Sequence, residues 1–154
     1  NAHLQIVGIG EDYQNMKNKI KEMQLEDHVK MLGKISNEEL KLRYSSCDLY
    51  ISASTHEHCP VPPFEAMGCG TLYIGEKPFG EKELALEDGV NYVAVTKSNF
   101  LEKIKYYVDN DSERQTIIDN AKQTFKDHHT IDARAKDFAK LIEELLNEGE
   151  NNGI

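Results

Sequence analysis

The sequence predicts an α/β protein built on a Rossmann-like parallel sheet of about five strands, with helices on both faces. Two observations predict it. Short apolar runs alternate with helical segments as far as residue 95. The runs are brief and apolar throughout, as buried parallel strands are, and helical crossovers must then cover both faces.

The elements follow in order. "HLQIVG" (3–8) is an apolar run ending in glycine and predicts a buried strand. "DYQNMKNKIKEMQL" (12–25) spaces Met16, Ile20 and Met23 along one helical face. "VKMLG" (29–33) predicts a second strand. "SNEELKLRYSS" (36–46) opens on the capping box Ser36-x-x-Glu39 and puts Leu40 and Tyr44 on one face. "DLYISAS" (48–54) predicts a third strand. "PPFEAMGC" (62–69) predicts a short helix with proline in its first turn and Gly70 as its stop. "TLYIG" (71–75) and "NYVAV" (91–95) predict the last two strands, with "GEKELALEDG" (80–89) between them as a short helix or turn. Three helices close the chain, over 98–110, 112–125 and 130–147, each opened by a Ser or Thr cap. Phe138, Leu141, Ile142 and Leu145 read as an ordinary packing stripe on the last one. The tail after 147 is polar.

A chain of 154 residues with 39% hydrophobic and 29% charged residues fits one globular domain. The start, almost directly on a strand, is what a piece of a longer chain would show. A net charge of −9 argues against a non-specific nucleic-acid binder, which needs a basic face. The three cysteines (Cys47, Cys59, Cys69) are odd in number and unpaired by spacing, which favours a reducing compartment. All three read as small packing residues.

In a parallel α/β sheet, ligands sit beyond the carboxyl ends of the strands. "GIGE" (8–11), "GKIS" (33–36), "STHEHCPVPP" (54–63) and "EKPFGEK" (76–82) must gather there. The stretch "EHCPVPPFE" (57–65) holds a glutamate on each side of a loop-to-helix junction. A helix start carries unpaired N–H groups and a partial positive charge, and suits phosphate. Carboxylates only accept hydrogen bonds, so Glu57 and Glu65 suit the hydroxyls of a sugar or ribose. The combination points to a nucleotide-sugar. The plainer reading makes Glu57 a cap and Glu65 a solvated helix residue. His56, His58 and Cys59 are neighbours in sequence, but zinc takes about four ligands and no second cluster is evident, so no metal site is assigned. His128 and His129 read as solvated residues at a helix end. Gly8-x-Gly10 lacks the third glycine of a dinucleotide fingerprint.

"SASTHEHCPVPPFEAMGCG" (52–70) resembles the E-x7-E stretch of family 4 type GT-B glycosyltransferases (glycosyl transferases group 1), with Glu57 and Glu65 in register. "LQIVGIGEDY", "HVKMLGKISNEELKLRYSSCDLYIS" and "GEKELALEDGVNYVAV" resemble further family segments in the same order, so the likeness runs over roughly residues 3 to 125. The resemblance implies the C-terminal half of a GT-B fold. Residues 1–147 would be a single donor-binding domain lacking its first strand-helix unit, and 148–154 a polar tail.

It also implies a function: binding a nucleotide-diphosphate sugar for retaining transfer of a glycosyl group, of the hexosyltransferase type, to an acceptor the sequence does not identify. Glu57 would be the catalytic-side contact to the donor sugar, and Glu65 would bind the ribose hydroxyls. Backbone near Pro60, Val61 and Pro62 would face the diphosphate, with His58 against the sugar. Leu32, Gly33, Lys34 and Ile35 would flank the base, and Gly8 and Gly10 would let the main chain approach the ligand. No cofactor and no metal are expected. His58 and Pro60 depart from the glycines common after the first glutamate, and proline has no N–H to give. The basic clamp and the N-terminal acceptor domain of the family would precede Asn1, so this chain alone is expected to be inactive; Lys77 or Lys82 could substitute charge. A cytoplasmic location follows, peripheral to the membrane through the missing domain. The alternative is a non-catalytic GT-B-like module used for partner binding.

Overall fold

The computed structural model describes residues 2–55 and 61–151. The chain divides into two compact units, Asn1–Leu42 and Arg43–Ile154.

In the first unit, β1 (Leu4–Val7) pairs in parallel with β2 (Val29–Gly33), and α1 (Tyr13–Glu22) connects them. The helix α2 (Asn37–Ser46) begins in this unit. Its predicted cap is made: the Glu39 N–H donates to Ser36 Oγ at 3.1 Å. The apolar residues here are more exposed than the sequence predicts. Leu4 and Val7 of β1 are exposed, as are Met16 and Met23, and α1 buries no residue. A two-stranded sheet has too little area to bury both faces of its strands.

In the second unit, β3 (Leu49–Ile51), β4 (Leu72–Glu76) and β5 (Val93–Val95) form a parallel sheet in that order. The five predicted strands are therefore all present, but as sheets of two and three strands. Apolar runs locate strands; they keep no record of which strands share hydrogen bonds.

The central strand β4 is buried from Leu72 to Gly75, and its alternation sorts the core. Leu72 and Ile74 point to one face, with Val93, Val95, Tyr107 of α4 (Phe100–Asp109), and Ile117 and Ile118 of α5 (Asp111–Thr124). Tyr73 points to the other, with Met67 of α3 (Val61–Cys69), Leu84, Leu86, Tyr92 and Ala121. Each such side chain contributes on the order of 1.5–3 kcal/mol. The sheet is thus covered on both faces, as predicted.

α3 ends as predicted. Gly70 has φ +83°, and the Thr71 N–H reaches back to Ala66 O at 3.0 Å while the Gly70 N–H bonds Met67 O, a Schellman stop. Residues 80–89 form turns, pinned by the buried Asn91. Its side chain accepts from the Glu87 N–H and donates to Ala85 O and Thr124 Oγ1, each at 2.9 Å.

After α5 the chain widens into a π-helical turn, Phe125–His129, and then α6 (Ile131–Asn151). Only one of the three predicted Ser/Thr caps is made: Thr130 Oγ1 accepts from the Ala133 N–H at 3.2 Å. α4 and α5 start after Asn99 and Asn110 instead, because Asn99 Oδ1 takes the Thr96 N–H and shapes the entry turn itself. The predicted packing stripe of α6 does not pack among the described residues: Phe138, Leu141, Ile142 and Leu145 are all exposed. α6 also runs on past Asn147.

Candidate active site at the carboxyl edge of the strands

α3 leaves the sheet at the carboxyl end of β3, so its amino end lies on the edge where α/β sheets bind ligands. An α-helix leaves its first four N–H groups without intrahelical partners. At the start of α3 the first three residues are Val61, Pro62 and Pro63, and the prolines have no N–H. The helix start therefore offers one N–H donor there, from Val61. Pro62, predicted to face the diphosphate, can do so only through its ring.

The faces of α3 are well separated. Pro63, Ala66 and Met67 are buried, and Val61, Pro62 and Glu65 are exposed. The carboxylate of Glu65 lies beside the hydroxyl of Tyr44, whose ring is buried near the end of α2. Burial raises the Tyr44 phenol well above its ordinary pKa, and the carboxylate adds to the effect, so the group stays a donor. Tyr44 is fixed from two further directions. Its carbonyl accepts from Thr71 Oγ1, and its ring meets Tyr50 edge-on at 5.5 Å.

The turn after β4 lies on the same edge. Lys77 pairs with Glu81, and the Tyr92 hydroxyl donates to Glu81 at 2.5 Å. These partners hold the Glu81 carboxyl below its ordinary range, Lys77 first. The charge that the sequence offered at Lys77 is thereby committed to Glu81, while Lys82 is exposed. Phe79 projects from this turn, exposed, next to Gly80 at φ +75°.

In the first unit, Gly8 and Gly33 follow the parallel strands to the same kind of edge. The Gly8 N–H donates to Gly33 O at 2.8 Å, and both residues adopt positive φ, +123° and +69°. A Cβ at Gly8 or Gly10 would meet nothing within 4 Å, so this backbone is open. Leu32, in β2, is half-buried, Lys34 is exposed and Ile35 half-buried. Glu57, His58 and Pro60 lie outside the described residues, as do His56 and Cys59.

Two residues near α3 have more structure than the sequence suggests. Tyr44 reads in sequence as one member of a packing stripe, with nothing to link it to Glu65. His129 reads as solvated, yet it is half-buried. Its ring stacks on Phe64 at 4.0 Å and 24°, and its Nε2–H donates to Leu84 O at 3.0 Å. Burial, then Arg134 and His128, lower its pKa, although the Leu84 carbonyl acts in the opposite sense. His128 is exposed, as predicted.

Among the described residues no group of three or more His, Cys, Asp or Glu could hold a metal ion. One carboxylate pair at D-x-D spacing does occur, Asp109 and Asp111. It lies at the opposite edge of the sheet, where Arg114 joins Asp111 at 2.8 Å to Asp48, just before β3, at 3.4 Å. Among the described residues no helix is long and apolar enough to cross a membrane.

Residues 1–124 match the family model of glycosyl transferases group 1. An uncharacterized glycosyltransferase of Methanocaldococcus jannaschii is 28% identical over 147 residues, which are 92% of this chain and 37% of the relative. The crystal structure of Anabaena HepE in complex with UDP-glucose superposes with a TM-score of 0.78 at 24% identity, over 92% of this chain and 41% of HepE. Sucrose-phosphate synthase of Thermosynechococcus elongatus gives 0.77 at 21% identity, over 95% and 39%. The chain thus spans about two fifths of these proteins' length. The structural likeness shows the fold, that of the C-terminal domain of GT-B glycosyltransferases. With the family model covering most of its length, the chain belongs to the glycosyl transferases group 1 family.

Proposed function

We propose that this chain is the donor-binding domain of a glycosyltransferase and binds a nucleotide-diphosphate sugar at the start of α3. The observation that carries the reading is Glu65: an exposed carboxylate on the binding edge, beside a buried tyrosine, on the helix whose start offers the Val61 N–H. A ribose diol donates two hydrogen bonds to such a carboxylate. The N–H of Val61, with the helix dipole, stabilises the negative charge that grows on the departing diphosphate. HepE is known in complexes with UDP-glucose and with UDP, which makes the uridine nucleotides the first ligands to test.

The finer reading is a family 4 type, retaining hexosyltransferase that needs no resident metal. In it Glu57 contacts the donor sugar with His58 against it, Pro60 lies by the diphosphate, Leu32 to Ile35 flank the base, and Gly8 and Gly10 let the main chain approach the ligand. Cytoplasmic residence is part of the same proposal. The acceptor site is assigned to the remainder of a longer enzyme.

A second reading, a non-catalytic module for partner binding, is favoured by one observation, the exposed apolar stripe of α6. A thermal-shift panel of UDP, GDP, ADP and their sugars separates the two. The donor reading expects a rise in Tm with one nucleotide class, removed by Glu65→Ala. No rise with any of them favours the module.

A further inference from the structure

We propose that His129 is a positioning residue for the donor site: as a neutral imidazole it ties α3, the helix that carries Glu65, to the turn over residues 80–86. The inference rests on the donor-binding reading of α3.

Three contacts meet at this ring. It stacks on Phe64, the neighbour of Glu65, at 4.0 Å. Its Nε2–H donates to the carbonyl of Leu84 at 3.0 Å, and Leu84 belongs to the core cluster beneath α3. The third is Phe125, at 6.5 Å, whose ring also presses on α3 at Gly68. His129 and Phe125 are the two ends of the π-helical turn. A π turn is a rare insertion in a helix and recurs at functional sites. Here it brings two aromatic rings onto α3 from one turn of chain.

The contact to Leu84 requires hydrogen on Nε2, since a carbonyl oxygen only accepts. The neutral ring then leaves Nδ1 without hydrogen. A second proton would place a charge between Phe64 and Phe125. Among the described residues the groups that act on the ring's charge are Arg134 from α6 and His128 from the π turn, and both oppose a positive charge there. α3 carries Glu65 and Cys69, and the turn carries Glu81, Lys82 and Glu83; none of these is among the groups that act on the ring. Protonation therefore favours release of the ring into water, with the brace undone.

The sign is fixed by linkage. The bound ring titrates below a free histidine, so the brace is complete above the free value of about 6.5 and is lost as pH falls. One unit below that value, proton binding favours the released ring by at most about tenfold.

The test is hydrogen exchange at the α3 amides, corrected for intrinsic rate, at pH 7.5 and 5.5, in wild type, His129→Gln and His129→Ala. Wild type should lose protection at the lower pH, by up to about tenfold. His129→Gln retains an N–H donor without a titrating proton, and should show equal protection at both. His129→Ala should be weakly protected at both. A pH-independent wild type, or a pH loss that persists in His129→Gln, overturns the brace, whether or not the alanine variant folds.

UDP-glucose affinity is measured in parallel, because its diphosphate diester has no proton that titrates in this range. Affinity should follow α3 protection across the variants. UDP-glucose binding that ignores both pH and substitution overturns the positioning role and leaves the donor reading intact. Absence of binding in wild type overturns the donor reading, and with it the role assigned to His129, even where exchange shows the brace.

Discussion

The ring of Phe125 fills the space that a side chain on Gly68 would need: a Cβ built there lies 2.9 Å from the ring. α3 can approach the π turn this closely only because residue 68 is glycine. Gly68→Ala should therefore destabilise the domain by about 1–3 kcal/mol, as overpacking does. Urea denaturation measures it, and adding Phe125→Leu should recover part of the loss. Equal stability of Gly68→Ala and wild type would show that the ring moves aside freely.

Asn91 satisfies three backbone and side-chain partners from within the core. Asn91→Leu keeps the branched shape but leaves the Glu87 N–H and the Ala85 carbonyl without a partner. The expected cost is about 2–4 kcal/mol, since buried polar groups that lose their partner carry the desolvation penalty. The measurement is the denaturation midpoint.

Much of this architecture was legible in the sequence, for reasons that differ by element. The strands and the stop of α3 are local: Gly70 needs a positive φ, and "TLYIG" is apolar throughout. The pairing of strands is not local, so two sheets could not be told from one. The α6 stripe shows the same limit from the other side. Its spacing reports that Phe138 and Leu141 share a face, not that anything meets it. At the site, the exposed place of Glu65 on α3 was legible because the helix is a local feature. Tyr44 and His129 were not, because their contacts join segments 21 and 45 residues apart in sequence, Tyr44 to Glu65 and His129 to Leu84.

The Lys77–Glu81–Tyr92 cluster predicts an acid-dependent term. The Glu81 carboxyl is held below its ordinary value of 4.5, so its contribution is full above that pH and is lost as pH falls through the lower, folded value. Between pH 5 and 3, wild-type Tm should fall more steeply than that of Glu81→Gln. Parallel curves would remove Glu81 from the account.

Tyr44→Phe keeps the buried ring and its edge contact with Tyr50 but removes the hydroxyl beside Glu65. Tm should change little. Nucleotide-sugar affinity should fall by about three- to tenfold, the worth of one hydrogen bond. An unchanged affinity would mean that Glu65 holds its position without Tyr44.

The most direct test of the donor site is a calorimetric titration of UDP-glucose into wild type and Glu65→Ala. The ribose reading predicts binding to wild type and a loss of about ten- to a hundredfold in the variant, the range for hydrogen bonds to a charged group. Equal affinity in the two proteins would contradict it.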